Sequence, residues 1–518
     1  MYLAGSAEMK FLDRIAIERF GLPGLVLMEN AAQSTFRAAL DFWPDWPGRR
    51  VIVLGGPGQN GGDGWALARI FSARGFQVRG LLVKAADKEV TGDAAVNLSV
   101  ARKLELDIQE FNEDSQDPPN WAEADLLIDA LFGTGLDRDL SGPAARIMES
   151  AAQAKAALGG KLRVLAVDLP SGLSGDNGRL FGPPLPADLT VTLGAPKLGL
   201  YLGQGPSLAG RIVVGDIGLC PQMYALAPPL GRLSGPEEMR SLLPPRPLSG
   251  HKGVFGHVLL AGGARGKSGA LVLAARGAAR SGAALVTALH PASLSSVFET
   301  KLTEVMTMDL PEDEAGELSA AAGDLILEYW PGRQALALGP GLGLGEGAAQ
   351  TVRRVVEGAE GPLVLDADAL THLAGRLESL KRVPGLLLTP HPGEAARLLS
   401  VTSAEIQNDR LGAAREIAAR SGAVVVLKGF HSLIVEPEGH FYLNPTGGPH
   451  LSVGGSGDLL TGLLAGLLAQ GLTPFKAAVL AVWVHGRAGD ICAAEMGPFG
   501  LTPDDIATRL PQVWQELA

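Results

Sequence analysis

Short apolar runs recur along the chain at helix-length intervals, and this spacing restricts the possible folds more than any other feature of the sequence. In the first half, such runs occupy residues 51–56, 125–133 and 162–172, with further runs between and after them. A second series begins at residue 257 and continues to about residue 435. Strands that alternate with helices form a mostly parallel sheet with helices on both faces. The sequence therefore predicts the α/β class.

The two series are separated by a proline-rich segment, residues 221–246, which contains the pair Pro228 and Pro229. Proline clusters interrupt both helices and strands, so we expect a linker without regular structure here. The two series share a rhythm but no order of motifs, which argues against a duplicated domain. We therefore predict two different α/β domains, residues 1–220 and 247–518, joined by this linker.

Composition and charge exclude several classes of protein. The net charge is −11 and no basic patch is evident, so we expect no nucleic-acid partner. The longest apolar stretch, residues 459–468, is about half of the ~20 residues that cross a bilayer, and it predicts a buried helix instead. The N-terminus has an amphipathic pattern and not that of a signal peptide, and the two cysteines, Cys220 and Cys492, match no metal or disulfide spacing. These features predict a cytoplasmic location.

Three strands of the first domain are followed by glycine-rich or acidic loops, at residues 55–69, 129–139 and 168–176. Ligands of open α/β sheets bind at the carboxyl ends of the strands, so we expect the three loops to converge. In the first loop, Gly61, Gly62 and Gly64 would allow close approach of a ligand to the backbone, next to a helix N-terminus suited to an anion. The G-x-G-x-x-G fingerprint of dinucleotide-binding folds is absent.

Two aspartates, Asp129 and Asp168, stand at predicted strand ends, and Asn60 and Ser171 lie in the neighbouring loops. Oxygen donors of this kind suit a hard cation. Each aspartate alone could instead cap the next helix or turn. Lys197 follows a later strand and could face the same site, but a lone lysine after a strand is more often a solvated surface residue, and we favour that interpretation.

With the motifs MENAA, NGGDG, DALFGTGL and DLPSG in this order, residues 1–220 resemble the epimerase domain of NAD(P)H-hydrate repair enzymes. The resemblance implies a Rossmann-like three-layer αβα fold that interconverts the R and S epimers of NADH hydrate and NADPH hydrate. It implies that Asn60, Asp129 and Ser171 hold K⁺, and Asp168 is our candidate for the general acid or base. The residues implied to contact the substrate are Gln59, Asn60, Gly61, Gly62, Asp63, Gly133, Thr134, Gly135, Leu136, Asp137, Arg138, Asp139 and Asp168.

The strongest signal of the second domain is a glycine-rich turn and an aspartate followed by an apolar helix, at residues 454–471. Backbone N–H groups around Gly455 and Gly457, together with the helix dipole, would stabilise a transferring phosphoryl group. Asp458 could accept a hydroxyl proton, or it could merely cap the helix. Residues 262–269 resemble the end of a P-loop, but Ala261 stands where that pattern requires its first glycine.

With the motifs GPGLG, DADAL, TPHPGE and VLKG, residues from about 247 to the end resemble the ribokinase-like ADP-dependent NAD(P)H-hydrate dehydratases, which have an αβα fold. The resemblance implies phosphoryl transfer from ADP to the S hydrate, with Asp458 as the base, followed by elimination of phosphate. Phosphoryl transfer in general leads us to expect Mg²⁺, for which the sequence indicates no ligand. The residues implied to contact the hydrate are Ala270, Gly343, His391 and Asp458. Those implied to bind the nucleotide are Lys428, Gly429, Phe430, His431, Ser432 and Gly457.

Two sets of activities are compatible with these motifs. In the first, one chain epimerises the hydrates of NADH and NADPH and then dehydrates the S epimer with ADP. In the alternative, the second domain is a kinase of a small vitamin precursor and the first is a non-catalytic cofactor-binding module. No residue decides between ADP and ATP as the donor. We also expect a homo-oligomer, since symmetric assemblies are common.

Overall fold

The computed structural model describes residues 1–44, 50–85, 88–115, 117–227 and 231–518. They form two compact units, Met1–Leu230 and Gly231–Ala518, so the division falls inside the predicted linker. Pro228 and Pro229 of that linker lie outside the described residues.

The first unit is built on a parallel sheet of seven strands in the order β3-β2-β1-β4-β5-β6-β7. The strands are β1 (Arg50–Gly55), β2 (Gln77–Val83), β3 (Asp107–Phe111), β4 (Leu126–Ala130), β5 (Arg163–Val167), β6 (Leu189–Leu193) and β7 (Arg211–Gly215). A two-residue strand, Tyr2–Leu3, precedes them. The strand order reverses between β1 and β4, where ligands of such folds bind. The predicted Rossmann-like α/β class is confirmed.

Both faces of this sheet are apolar and are covered by helices. Its strands are apolar at successive positions, and successive side chains point to opposite faces. In β1, Val51 and Val53 pack into one buried cluster, whereas Ile52 and Leu54 pack into another on the opposite face. Helices supply the other side of each cluster. The helices are α1 (Ser6–Arg14), a π-helix (Ile15–Arg19), α2 (Gly24–Phe42), α3 (Gln59–Ala73), α4 (Gly92–Lys103), α5 (Gly142–Leu158), α6 (Gly205–Leu208) and α7 (Pro221–Tyr224), with 3₁₀ turns at Trp121–Glu123, Gly159–Lys161 and Leu198–Leu200.

The second unit is a larger αβα structure, whose strands follow the order β8-β17-β16-β15-β14-β13-β12-β9-β10-β11. The seven strands β11-β10-β9-β12-β13-β14-β15, in sheet order, are all parallel. Strand β16 pairs antiparallel with both of its neighbours, β15 and β17. The strands are β8 (Gly231–Leu233), β9 (His257–Ala261), β10 (Leu285–Pro291), β11 (Met306–Leu310), β12 (Ala335–Leu338), β13 (Leu363–Leu365), β14 (Leu386–Leu388), β15 (Val424–Leu427), β16 (Leu433–Val435) and β17 (Phe441–Leu443).

Helices cover this second sheet, and the long apolar helices α17 (Ser456–Ala469) and α18 (Pro474–Met496) lie in its main hydrophobic cluster. The predicted buried helix is confirmed as α17. The helices are α8 (Pro236–Ser241), α9 (Ser268–Arg280), α10 (Ser295–Lys301), α11 (Ala322–Tyr329), α12 (Glu346–Glu357), α13 (Asp368–His372), α14 (Pro392–Leu399), α15 (Ser403–Asn408), α16 (Arg410–Ser421), α17 (Ser456–Ala469), α18 (Pro474–Met496) and α19 (Pro503–Leu517), with 3₁₀ turns at Ala292–Leu294, Leu377–Arg382 and Pro449–Leu451. Among the described residues, no helix has the length and apolarity needed to cross a bilayer.

The expectation that residues 221–246 lack regular structure is wrong for residues 221–224, 231–233 and 236–241, whereas residues 242–246 form no helix or strand. Strand β8 pairs parallel with β17, and the backbone N–H of Ser234 donates to the carbonyl oxygen of Leu443 at 3.1 Å. Helix α8 follows, and its Met239 is fully buried in the core of the second unit. Pro236 stands in the first turn of α8, where a proline costs no hydrogen bond. Prolines in this segment therefore start a helix instead of preventing one.

Helices α9 and α17 pack at unusually close range because both carry a glycine at the crossing. A Cβ on Gly462 would lie 1.7 Å from the carbonyl oxygen of Ala274. A Cβ on Gly277 would lie 2.1 Å from the carbonyl oxygen of Leu459. This contact fixes the position of the N-terminus of α17, which carries Asp458.

Candidate active sites of the two units

The first unit contains a cavity of about 790 Å³ at the carboxyl ends of its central strands. Loops that follow β1, β4 and β5 line it, as do residues of α1 and α2. Of the predicted substrate contacts, the cavity is lined by Gln59, Asn60, Asp63, Gly133, Thr134, Gly135, Leu136, Asp137, Arg138, Asp139 and Asp168. Gly61 and Gly62 instead pack against other backbone and side chains, where a Cβ would lie 1.9 Å from Gly56 O and 2.7 Å from the Met28 side chain.

Asp168 follows β5 in the left-handed backbone region, with φ of 69°, and belongs to a buried ion pair. Its Oδ1 lies 2.5 Å from Nζ of Lys197 and accepts a hydrogen bond from the backbone N–H of Leu193 at 3.1 Å. Its other oxygen, Oδ2, is next to Gly133, on which a Cβ would be 3.1 Å away. One oxygen of Asp168 is thus held in place while the other faces the loop after β4.

The expectation that Lys197 is a solvated surface residue is wrong. Only 1% of its side chain is exposed. Its ammonium group donates to Asp168 and to the carbonyl oxygen of Leu193, at 2.6 Å. The chain turns back after β6, and burial of the charge is tolerated because a carboxylate and a carbonyl receive its hydrogen bonds.

Of the three predicted cation ligands, Asp129 and Ser171 are hydrogen-bonded to each other, whereas Asn60 lines the cavity next to Gly133. Asp129 is fully buried, and its two oxygens accept from Oγ of Ser171 at 2.5 Å and from the Ser171 backbone N–H at 2.7 Å. Both polar atoms of the Asn60 side chain are buried without a hydrogen-bond partner among the described residues. The unpaired Oδ1 of Asn60, the Asp129 carboxylate and the Ser171 hydroxyl are all oxygen donors of the kind that a hard cation such as K⁺ binds.

Two further carboxyls in this cavity have perturbed pKa values. Burial, followed by the charges of Asp168 and Asp13, raises the pKa of Asp63 well above its ordinary range. Burial also raises the pKa of Asp13 to about 6, an effect that Lys197 opposes and Asp168 reinforces. The sequence reasoning assigned no role to Asp13, because a single aspartate in an amphipathic N-terminal helix has no distinguishing local signal.

In the second unit, a buried aspartate organises the loops at the carboxyl ends of the strands. Asp366 follows β13 and is only 1% exposed. Its Oδ1 accepts from Oγ1 of Thr389 at 2.6 Å and from Nζ of Lys428 at 2.8 Å, and its Oδ2 accepts from Oγ1 of Thr461 at 2.6 Å. Burial favours the neutral acid, but the charge and hydrogen bond of Lys428 outweigh it and lower the pKa of Asp366.

Lys428 connects this network to the N-terminus of α17. Its Nζ lies 3.8 Å from Oε2 of Glu394, and a Cβ on Gly457 would be 3.4 Å from the same Nζ. Burial disfavours the ammonium ion, yet the charges of Asp366 and Glu394 raise the pKa of Lys428. A fixed positive charge therefore stands beside the backbone N–H groups of the glycine-rich turn, an arrangement suited to a phosphoryl group.

Asp458 lies in the first turn of α17, but it does not cap the helix, because the N-cap position belongs to Gly455. The interpretation as a simple capping residue is therefore wrong. Burial, followed by the negative charge of Asp366, raises the pKa of Asp458 to about 7. A carboxyl group with this pKa can exchange a proton near neutral pH, as a general base must.

Two predicted hydrate contacts, Ala270 and Gly343, lie near a second ion pair. Nζ of Lys267 is 3.1 Å from Oδ2 of Asp368, and the same oxygen accepts from the backbone N–H of Gly343 at 2.9 Å. Ala270 follows in the first turn of α9. The charge of Asp368 also raises the pKa of Asp458, so these groups are electrostatically coupled.

His391 occupies the N-cap of α14. Its Nδ1 accepts from the backbone N–H of Gly393 at 2.9 Å, and its Nε2 lies 3.4 Å from Oε1 of Glu394. Burial, followed by the charge of Lys428, lowers the pKa of His391. The residue is thus a neutral capping group that lies near the Lys428 network.

The predicted nucleotide loop, residues 428–432, follows β15 and is supported from below by a buried arginine. Arg410 donates to the carbonyl oxygens of Phe430 at 2.5 Å and Leu427 at 3.4 Å. Gly429 has φ of 146°, and a Cβ there would be 2.9 Å from the Arg410 guanidinium. About half of the Phe430 side chain is exposed, which leaves a ring available to a ligand.

Asp366, Glu394 and Arg410 were assigned no role from the sequence. Asp366 directly follows a strand, as Asp168 does, so the strand-end criterion that we applied to the first domain would have identified it. The roles of Glu394 and Arg410 depend on contacts between distant segments, which no local pattern marks.

Comparison with known proteins relates both units to one family. The family model described as "YjeF-related protein N-terminus" matches residues 24–199, and the model described as "NAD(P)H-hydrate dehydratase" matches residues 258–512. The chain is 42% identical to a bifunctional NAD(P)H-hydrate repair enzyme of Moorella thermoacetica, over 100% of this chain and 97% of the relative. It is 33% identical to the enzyme of that name from Escherichia coli, over 97% of this chain and 92% of the relative.

A solved structure also resembles the second unit. It is an ADP/ATP-dependent NAD(P)H-hydrate dehydratase of Bacillus subtilis, co-crystallised with ATP and Mg²⁺. The two are 33% identical, with a TM-score of 0.50, over 56% of this chain and 99% of that one. The predicted ribokinase-like αβα class is consistent with this likeness.

Proposed function

The chain belongs to the family of bifunctional NAD(P)H-hydrate repair enzymes, and we propose that it restores hydrated NADH and NADPH by two successive reactions. The first unit interconverts the R and S epimers, and the second dehydrates the S epimer with ADP, leaving AMP and phosphate. The observation that carries the proposal is similarity to bifunctional relatives over the whole length of both units. That observation argues against the alternative of a vitamin-precursor kinase with a non-catalytic first domain.

Epimerisation requires reversible opening of the carbon centre that carries the added hydroxyl. This carbon is also bonded to the ring nitrogen, so loss of the hydroxyl proton allows the carbon–oxygen bond to become a carbonyl while the carbon–nitrogen bond breaks. The nitrogen takes up a proton, the aldehyde rotates, and reclosure on the other face gives the second epimer. We assign removal of the hydroxyl proton to Oδ2 of Asp168, because Lys197 and the Leu193 N–H hold Oδ1.

We assign a K⁺ site to Asn60, Asp129 and Ser171. The fit rests on the buried Oδ1 of Asn60, which has no hydrogen-bond partner among the described residues, and on the buried Asp129 carboxylate. When bound, the ion would supply positive charge at the base of the cavity. Asn60 and Asp168 both approach Gly133, so the K⁺ site and the proposed base share one wall.

In the second unit, we assign Asp458 as the base that takes the proton of the S-hydrate hydroxyl. The hydroxyl oxygen then attacks the terminal phosphorus of ADP, and the bond to AMP breaks. Phosphate subsequently leaves with the oxygen, while the neighbouring ring carbon loses a proton and the double bond returns. Lys428 and the N-terminus of α17 would stabilise the transferring group, with Mg²⁺ bound to the nucleotide.

We further propose that residues 428–432 and Gly457 bind the nucleotide. Support comes from Gly457, which lies beside Nζ of Lys428, and from Arg410, which holds the backbone of the 428–432 loop. We also propose a cytoplasmic homo-oligomer, whose assembly sedimentation velocity would measure.

The decisive assay follows recovery of reduced-nicotinamide absorbance from a mixture of R- and S-NADH hydrate, with ADP, with ATP and without nucleotide. Complete recovery with ADP is expected. Asp168→Asn should stop recovery near the S fraction, and Asp458→Asn should prevent recovery of either epimer. Absence of recovery with both nucleotides would refute the proposal, and phosphorylation of a hydroxylated vitamin precursor would then support the alternative.

A further inference from the structure

One face of helix α1 and its π-helical continuation borders the cavity of the first unit. Met9, Asp13 and Ile17 all line it, and their spacing of four residues places them on the same side of the helix. Asp13 is the carboxylate among the three. The π-helix Ile15–Arg19 begins two residues later, and such irregularities are frequent at functional sites.

The start of this helix is attached to the loop that contains Lys197. The backbone N–H of Ala4 donates to Pro196 O at 3.0 Å, and that of Leu198 donates to Ala4 O at 3.1 Å. The backbone N–H of Ser6 donates to Oδ1 of Asp176 at 2.6 Å. The segment that leads into α1 is thus bonded to the residues on either side of Lys197. These bonds fix the position of Asp13 relative to the Lys197–Asp168 pair.

No structural task accounts for the Asp13 carboxyl. Within the part of the chain that the structure describes, it forms no ion pair within 4.0 Å and receives no side-chain hydrogen bond. Its pKa, about 6 because of burial and the charge of Asp168, allows both protonation states near neutral pH. Asp63 also lines the cavity, and burial, followed by the charges of Asp168 and Asp13, raises its pKa well above the ordinary range.

We propose that Asp13 is a second catalytic acid–base residue of the epimerase, an inference that rests on the proposed function. As Asp168 takes the hydroxyl proton, Asp13 donates its proton to the ring nitrogen whose bond to carbon breaks. After the aldehyde has rotated, the nitrogen re-attacks and returns its proton to Asp13, and Asp168 returns the other proton to the new hydroxyl. The protons balance, and neither carboxyl changes state over a turnover.

The assignment also explains why two carboxylates with different surroundings share one cavity. Asp168 is paired with an ammonium group at 2.5 Å, whereas Asp13 is influenced by that group only through its field. A base and an acid that act together need such unequal environments. Lys197 thereby serves as a positioning residue for Asp168 and moderates the acidity of Asp13.

The test measures conversion of purified R-NADH hydrate to the S epimer, by chromatography and without nucleotide, for Asp13→Asn and Asp13→Glu. Asp13→Asn should lower kcat about 100-fold with little change in KM, the scale of a lost acid–base group. The change of rate near pH 6 in the wild-type pH–rate profile should be absent from the profile of Asp13→Asn. Asp13→Glu should restore part of the rate. Glu18→Gln, which changes an exposed carboxylate of the adjoining π-helix, is the matched control.

Dehydration of the S epimer with ADP, measured on the same preparations, should be unchanged. Epimerisation by Asp13→Asn at the wild-type rate, with the wild-type pH profile, would overturn the inference while leaving the proposed function intact. Equal loss of rate and of hydrate binding in both Asp13 variants would assign the residue to structure and would also overturn it. Failure of the wild-type chain to epimerise would instead refute the epimerase function itself.

Discussion

The aspartates assigned to chemistry in the two units differ in how a lysine faces them. Lys197 pairs directly with Asp168, whereas Lys428 pairs with Asp366 and acts on Asp458 only through its charge. Asp458 is therefore left with burial and the negative charge of Asp366 as the main influences on its pKa, which rises to about 7. This difference predicts that the two reactions respond differently to pH.

Dehydration should depend on the ionised form of Asp458. Because a base must be deprotonated to act, kcat/KM for the S hydrate should rise tenfold per pH unit below about 7 and level off above it. Rates measured with purified S-NADH hydrate and ADP between pH 5 and 9 would check this. The measurements should be made at fixed ionic strength and where the rate is proportional to the enzyme concentration.

Asp366→Asn offers a sharper version of the same measurement. Removing its charge takes away a group that raises the pKa of Asp458 and leaves Lys428, which lowers it. The limb of the profile should therefore move to lower pH, even if the maximal rate falls. A limb that stays near pH 7, or moves upward, would contradict the assignment of the titrating group to Asp458.

Local sequence identified strand-end groups well and charge partners poorly. The positions of Asp168 and Asp129 could be predicted, because parallel strands bring their carboxyl ends to one edge of the sheet. The position of Lys197 could not be predicted, because the sequence shows a lysine after a strand but not the turn that carries its ammonium group back to Asp168. Asp13 lacked even that signal, since its contact with the cavity depends on where α1 is attached.

Among the elements, helix α17 was the most predictable from the sequence. Its position in the fold, in contrast, was the least predictable. Its glycine-rich start and apolar length indicated a buried helix that presents backbone N–H groups. The close crossing with α9 depends on Gly462 and Gly277, and no pattern within either helix shows that the two glycines face each other. The prediction of no regular structure is wrong for residues 231–241, because tertiary pairing of β8 with β17 and burial of Met239 outweigh the effect of the prolines in the segment.

Gly462→Ala should therefore displace α17 from α9. Alanine favours a helix by about 1 kcal/mol over glycine, but its Cβ would lie 1.7 Å from the Ala274 carbonyl oxygen. Overpacking of this kind costs about 1–3 kcal/mol, so we expect a lower free energy of unfolding for the second unit. Because Asp458 moves with the helix, the dehydration rate should also fall, while R-to-S conversion by the first unit should not.

Gly269→Ala is the matched control, because Gly269 lies in α9, the other helix of the crossing, and a Cβ there meets no atom within 4 Å. It should leave stability unchanged or slightly increased. Chemical denaturation of both variants, together with the two separate activity assays, would distinguish displacement of α17 from general destabilisation. Wild-type stability and dehydration in Gly462→Ala would show that the crossing tolerates a wider separation.

At the scale of the whole molecule, one chain contains two compact units, each with its own sheet and its own cluster of perturbed carboxyls. The division into units was predictable from the two βαβ series, since each series can close a separate core. The chemistry links them in order, because the S epimer that the first unit produces is what the second consumes. Because the two activities belong to separate units, each should persist when the other is inactivated.

Two inactivated chains should complement each other if the S hydrate diffuses between sites. Asp168→Asn retains the dehydratase, Asp458→Asn retains the epimerase, and neither alone should restore NADH from purified R hydrate faster than spontaneous epimerisation allows. An equimolar mixture with ADP should restore it at a rate set by the slower site, as reduced-nicotinamide absorbance would show. Separate assays of R-to-S conversion and of S dehydration would establish that each variant keeps its remaining activity. If both do and the mixture still fails, the hydrate must pass between the two sites of a single chain without release.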